Sequence, residues 1–125
     1  RPDAKRFECG SYNIPGILGL GASLEVISKI GIDLISRRIL GLTDRLVAGL
    51  VQKGYKIVSS RRSGEASGIV SFTAAHHPHA QIISSLEAGK IIIALREGRL
   101  RVSPHFYNTP EDMDRLLAML PDDRG

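Results

Sequence analysis

No apolar run in this chain approaches the ~20 residues that a membrane-spanning helix needs, because Arg, Lys and Asp interrupt every candidate. No signal-peptide pattern stands at the start, which opens on polar Arg1-Pro2-Asp3-Ala4-Lys5-Arg6. An initiator Met is missing as well, which favours a chain cut from something longer. A single cysteine, Cys9, excludes an internal disulfide framework and any multi-cysteine metal site, and it fits a reducing, cytoplasmic setting. Blocks of one charge sign are missing too. The net charge is +4, but the arginines stand singly or in pairs (Arg37-Arg38, Arg61-Arg62, Arg96, Arg99, Arg101) with acids between many of them. That distribution describes a solvated basic surface, and neither nucleic acid nor a membrane is expected as a partner. There is no internal repeat and no low-complexity stretch.

What remains is an ordinary globular composition, with 42% hydrophobic and 24% charged residues over 125 positions. That length suits one domain, burying roughly two-thirds of its unfolded surface. Residues 1–13 read as irregular. From Ile14, apolar residues Ile17, Leu20, Leu24, Ile27 and Ile30 recur at helical spacing, and Gly31 ends the helix. Three internal glycines, Gly16, Gly19 and Gly21, weaken it unless close packing offsets their cost of up to ~1 kcal/mol each. A second helix is expected over about Asp33–Lys53, with Leu34, Ile35, Ile39, Leu42, Leu46 and Leu50 as its stripe and Gly54 as its stop. Strands are expected at Tyr55–Ser59, Gly68–Thr73, Ile91–Leu95 and Leu100–Ser103, the last two joined through Glu97-Gly98. A short helix near Ala80–Glu87 ends at Gly89. A last helix starts at Thr109-Pro110 with Glu111 and Asp112 in its first turn, buries Met113, Leu116, Leu117 and Leu120, and closes at Pro121. This order predicts an α+β fold, a mostly antiparallel sheet covered by helices.

Most candidate motifs have bland readings that fit better. Gly16-x-x-Gly19-x-Gly21 falls inside a helix with no strand before it, so it is not a dinucleotide fingerprint. His76, His77 and His79 are compact, but converging ligands from a second segment are not evident, so an exposed loop is expected and no metal. Cys9 has no demonstrable activating partner and reads as a structural thiol. Arg101 is more informative. It alternates with Leu100 and Val102 and projects opposite them, as a strand-face ion-pair partner or as a two-pronged clamp for a carboxylate or phosphate. The residues alone leave both open.

The tract from Arg6-Phe7-Glu8-Cys9-Gly10-Ser11-Tyr12-Asn13 to Leu20 resembles a block of class V aminotransferases, the group that holds cysteine desulfurases, which reads R-F-E-x-G-T/S-x-N before a glycine-spaced helix. Leu100-Arg101-Val102-Ser103 through Tyr107-Asn108-Thr109-Pro110-Glu111-Asp112-Met113-Asp114 resembles the family's R-x-S-x-x-x-Y-N-T signature. Ser67-Gly68-Ile69-Val70-Ser71-Phe72 matches its S-G-I-x-S-F strand, and His77-Pro78-His79 a loop of related desulfurases. The likeness runs in order over about residues 6–120.

The resemblance implies the small C-terminal domain of a fold-type-I enzyme dependent on pyridoxal 5'-phosphate (PLP). Residues 1–31 would form a linker and long interface helix, residues 32–120 the α+β domain, and the large PLP-binding domain would be absent from this chain. It also implies a homodimer acting on an amino acid. Ser11 matches the hydroxyl that reaches the cofactor phosphate of the neighbouring subunit, Asn13 the residue supporting that loop, and Arg101 the arginine on the substrate α-carboxylate. No catalytic residue is implied here, since none of Lys5, Lys29, Lys53, Lys56 or Lys90 stands in the context of the Schiff-base lysine. The stretch Ser84–Leu100 also lacks the persulfide-forming cysteine of desulfurases, which turns the expectation toward an aminotransferase, lyase or epimerase. A free-standing interaction or regulatory module that kept the fold but lost the chemistry is the alternative.

Overall fold

A computed structural model describes residues 2–3, 7 and 10–124, and these divide into two compact units, Arg1–Ile32 and Asp33–Gly125. Arg6, Glu8 and Cys9 lie outside the described residues, and with them the reading of Cys9 as a structural thiol.

The first unit carries helix α1 (Ile14–Ile30). Asn13 caps it, its side-chain Oδ1 accepting the Gly16 N–H at 3.1 Å. A Cβ at position 16 would stand 2.4 Å from the Asn13 amide nitrogen, so Gly16 makes room for the cap. Gly19 and Gly21 meet nothing within 4 Å, so no close packing within the described residues offsets their cost. No residue of α1 is buried: Ile17, Leu20 and Leu24 of the expected stripe are exposed, Ile27 and Ile30 half-buried.

The second unit contains α2 (Ile32–Gln52, all but its first residue), β1 (Lys56–Ile57), β2 (Val70–Thr73), α3 (His79–Ala88), β3 (Ala94–Arg96), β4 (Arg99–Val102) and α4 (Pro110–Met119). All strand pairs are antiparallel, in the order β1-β2-β4-β3. Phe72 lies opposite Leu100 and Val70 opposite Val102. These four side chains share one sheet face and are buried with Leu42, Leu46 and Leu50 of α2, Ile82 and Leu86 of α3, and Met113 and Leu116 of α4. Each fully buried side chain of this size is worth about 1.5–3 kcal/mol. Three helices therefore back one face of the sheet and fix which side of β4 looks away from the core.

Several elements differ from expectation. β1 has two residues rather than five, because beyond Ile57 the chain bonds irregularly: Val58 and Ser59 both donate to the Ser71 carbonyl. The expected strand Ile91–Leu95 is displaced to Ala94–Arg96, and Ile92 is 87% exposed. Leu34 is exposed at the start of α2 rather than part of its buried stripe. Gly89 ends α3 in a different manner from that expected. It has an ordinary φ of −84° and sits against Met119, while Lys90 takes the left-handed position at φ 59°. The bonds Ile91 N–H to Leu86 O and Lys90 N–H to Glu87 O complete a Schellman ending.

The C-terminal segment fastens the unit. Buried Asp123 accepts the backbone N–H groups of Ala75 at 2.6 Å and His76 at 2.8 Å, and donates its own N–H to the Lys53 carbonyl at 2.7 Å. Tyr55, 3% exposed and edge-on to Phe72, donates its hydroxyl to the Pro121 carbonyl at 2.9 Å. Burial pushes the Tyr55 phenol up to about 12, with the Asp123 and then Asp122 carboxylates adding to the shift. An unfolded tyrosine ionises near ~10. Between these values the unfolded chain releases a proton that the folded chain keeps. The contribution of Tyr55 is thus fully present below pH ~10 and is lost as pH rises toward 12. Urea midpoints of the native chain should fall more steeply across that window than those of Tyr55→Phe; parallel profiles would contradict the assignment.

Candidate functional site

β3 and β4 are joined by a two-residue turn in which Glu97 (φ 49°) and Gly98 (φ 71°) both have positive φ, the requirement of the type I′ turn that suits tight hairpins. That turn sets Arg96 opposite Arg99, Leu95 opposite Leu100 and Ala94 opposite Arg101. On the other side of β4, Ser71 lies opposite Arg101. Since paired residues share a face and neighbours alternate, Ser71, Arg96, Arg99 and Arg101 project away from the core. They border an open depression of ≈ 690 Å³ together with Ile69, Leu95 and Glu97.

Arg101 sits on an inner strand of the sheet, half-buried. Its Nε is the one buried side-chain nitrogen or oxygen among the described residues that lacks a hydrogen-bond partner. A buried donor left unpaired costs about 1–3 kcal/mol, and more when charged. Its chemistry suits a carboxylate, which accepts from the planar guanidinium fork at two points. The strand-face ion pair left open by the sequence is not formed among the described residues.

The segment after β4 is held by a residue that sequence reasoning missed. Arg38 of α2 donates from Nε to the Phe106 carbonyl and from Nη2 to the Asn108 carbonyl, both at 2.9 Å. Asn108 and Thr109 serve the helix end. Thr109 accepts the Asp112 N–H, Asp112 accepts the Thr109 N–H at 3.0 Å, and Asn108 donates to Asp112 at 3.1 Å. These donors hold the Asp112 carboxyl below its usual range, the Thr109 backbone first and Asn108 second. Beside this cap, Arg45 grips Asp114 with both prongs, at 2.6 and 2.7 Å, which joins α2 to α4.

Ser11 and Asn13 belong to the first unit. Ser11 is exposed in a bend after Gly10, whose φ is +80°. The Asn13 side chain is engaged in capping α1, a local role within its own helix end. The histidines differ from a plain exposed loop. His79 Nε2 accepts the Ala74 N–H at 3.0 Å, His77 Nε2 lies 2.9 Å from the Asp122 carbonyl, and only His76 is fully exposed.

A four-stranded antiparallel sheet backed by helices on one face is also found within solved desulfurase structures. The chain superposes on the apo cysteine desulfurase of Thermococcus onnurineus NA1 with a TM-score of 0.83 and 28% identity, over 92% of this chain and 32% of that one. It superposes on the cystine C-S lyase C-DES in complex with its product cysteine persulfide with a TM-score of 0.82 and 27% identity, over 97% and 32%. The chain belongs to the aminotransferase class-V family, whose model matches residues 1–116. Among curated relatives, a probable cysteine desulfurase of Pyrococcus abyssi is 32% identical over 93% of this chain, and a cysteine desulfurase of Yersinia pestis is 32% identical over 92%. The chain spans about a third of the length of these relatives.

Arg38→Gln should loosen the segment after β4, because its two carbonyl anchors are lost together. Amide exchange at Asn108, whose N–H bonds to the His105 carbonyl at 3.0 Å, should speed up relative to amides of β2. Equal rates in variant and parent would remove Arg38 from this role.

Proposed function

We propose that this chain is the small C-terminal domain of a PLP-dependent class V enzyme that acts on an amino acid, with Arg101 holding the substrate α-carboxylate. The orphaned Arg101 Nε on the open sheet face carries this reading: a half-buried guanidinium whose Nε has no acceptor among the described residues is suited to one that arrives with a ligand. PLP would be held mainly by the rest of the protein, where, once bound, it supplies the electron sink for chemistry at the substrate Cα. In support, a C-DES variant of 27% identity has glycine covalently linked to its PLP-cofactor. In this reading the exposed Ser11 hydroxyl contacts the cofactor phosphate across a homodimer and Asn13 keeps the Ser11 loop in place. Residues 1–31 then act as a linker and interface helix, the exposed apolar side chains of α1 being suited to that use.

No lysine of this chain is expected to anchor the cofactor, since none stands in the context of the family's Schiff-base lysine. Lys53 donates to the Leu120 carbonyl and Lys29 pairs with Glu25 on an exposed helix face. Relatives are named as cysteine desulfurases, yet no cysteine follows Cys9 in this chain. The stretch Ser84–Leu100 thus supplies no persulfide-forming thiol, and we assign the protein to a transaminating, eliminating or epimerising branch in a cytoplasmic setting. Incubated alone with PLP, the chain should show no visible absorbance band that survives dialysis. A stoichiometric band abolished by changing one of its lysines would overturn this.

Arg101→Lys in the full-length protein replaces a two-donor fork with a point charge. One lost charge-assisted bond is worth roughly 1.5–3 kcal/mol, so kcat/KM should fall about tenfold to a hundredfold. The thermal midpoint and PLP occupancy should barely move, because the exchange leaves the backbone pairing of Arg101 intact and its side chain forms no ion pair among the described residues. A lower midpoint with kcat/KM intact per folded molecule would give Arg101 a structural role instead, as the non-catalytic module would have it.

A further inference from the structure

Three arginines share the depression around Arg101, and their arrangement is costly on its own. The hairpin register places Arg96 directly across from Arg99, and Arg99 stands two residues before Arg101 on the same face. Like charges directly opposite one another in a sheet are destabilising. Elsewhere on the unit, Arg45, Arg61 and Arg124 each pair with a carboxylate. None of Arg96, Arg99 and Arg101 does so among the described residues, and the one acid bordering the depression is Glu97 in the turn. Nothing in the core requires this concentration, since Arg96 and Arg99 are exposed. Their cost is offset if an anion with two charged ends enters from the open side.

We propose that the depression receives a dicarboxylic amino acid, with Arg101 on the α-carboxylate and Arg99, reinforced by Arg96, on the side-chain carboxylate. This rests on the reading of Arg101 given above. Residues two apart on a strand rise about 6.5–7 Å along it. The two carboxylates of such an amino acid are separated by a short methylene chain, a span that two long, flexible arginine side chains on one strand can bracket. Ser71, directly across from Arg101, adds a hydroxyl donor or acceptor at the same end. Arg101 would then recognise any amino acid, and Arg99 would select among them. A neutral side chain leaves two facing guanidinium groups without a counter-charge, so discrimination comes as much from disfavouring the wrong ligand as from gripping the right one.

Glutarate and valerate have the same number of carbons and differ in one carboxylate, and neither carries the amino group that chemistry would need, so binding is read without turnover. Calorimetric titration of both into the PLP-loaded full-length protein, at physiological salt to screen non-specific attraction, should give glutarate the lower Kd by about tenfold or more. Arg99→Gln should bring the ratio of the two constants close to one, Arg96→Gln should reduce it partly, and Arg101→Gln should weaken both acids. If Arg99→Gln melts early, Arg99→Lys takes its place and should also shrink the ratio, because the planar fork is lost. Equal affinities in the parent protein, or a glutarate preference that survives both Arg99→Gln and Arg96→Gln, would overturn the inference while leaving Arg101 its carboxylate. Binding of both acids unaffected by Arg101→Gln, or of neither acid to the parent, would overturn the reading of Arg101 and this inference with it.

Discussion

Leu100 and Val102 point into the core and Arg99 and Arg101 point out of it, and nearly every functional statement about this chain depends on that alternation along β4. A slip of one residue would drive two guanidinium groups into a cluster of leucines and leave the apolar pair in water. Register is therefore strongly determined from both sides. Phe72 and Val70 face Leu100 and Val102 across one edge. On the other edge, the tight turn at Glu97-Gly98 permits one pairing of β3 with β4. Glu97 takes a positive φ that disfavours any residue with a Cβ by roughly 1–2 kcal/mol. The cores of α2, α3 and α4 then act on the site indirectly, by holding the buried face of the sheet and so presenting the other.

Patterns that depend on neighbours along the chain are legible in the amino-acid sequence. The helical stripe of Leu42, Leu46 and Leu50, the Thr109-Pro110 start of α4 and the alternation at Arg101 each express a local rule, and each is found in the fold. The features that escape such rules are set by packing between distant segments. Ile91-Ile92-Ile93 has strand composition, but the Schellman ending of α3 at Lys90 uses those residues for the turn away from the helix, and pairing begins only at Ala94. Gly89 has the sequence position of a left-handed stop and is instead a gap for the Met119 side chain, a demand that no local pattern announces. Leu34 lies next to the buried Ile35 but turns to the exposed face of α2 that carries Arg38 and Arg45.

The candidate site shows the same division. Arg101 stands out because an arginine between Leu100 and Val102 breaks an apolar strand in a characteristic way. Arg99 carries the same signal one period earlier, but at a strand end it passes for turn polarity. Its pairing with Arg96 is a consequence of hairpin register. Arg38 and Asp123 are invisible for a different reason: their partners are backbone groups 68 to 70 and 47 to 48 residues away. Backbone acceptors and donors have no sequence identity, so an arginine that holds two carbonyls looks the same as one in solvent. Ser11 is singled out through family likeness rather than through its own chemistry, and the nearby Asn13 is engaged in capping α1, where Gly16 makes room for its side chain.

Stability and function pull in opposite directions on the two faces of this sheet. On the buried face, no buried side-chain nitrogen or oxygen among the described residues lacks a partner. On the open face, an unpaired Arg101 Nε and the facing pair Arg96 and Arg99 all lower the stability of the unliganded domain. Such a deficit is tolerable because the core stands directly behind it, so the guanidinium of Arg101 projects from an inner strand rather than from a mobile loop. The same deficit favours binding, since a ligand carboxylate removes the penalty of an unpaired donor in addition to forming its own bonds. A cation already satisfied by a neighbouring acid would have to exchange one carboxylate for another and gain little. In the proposed reading, the lack of a partner for Nε among the described residues leaves Arg101 available to any ligand carboxylate, whereas Arg45 and Arg61 are each held by an acid of the fold.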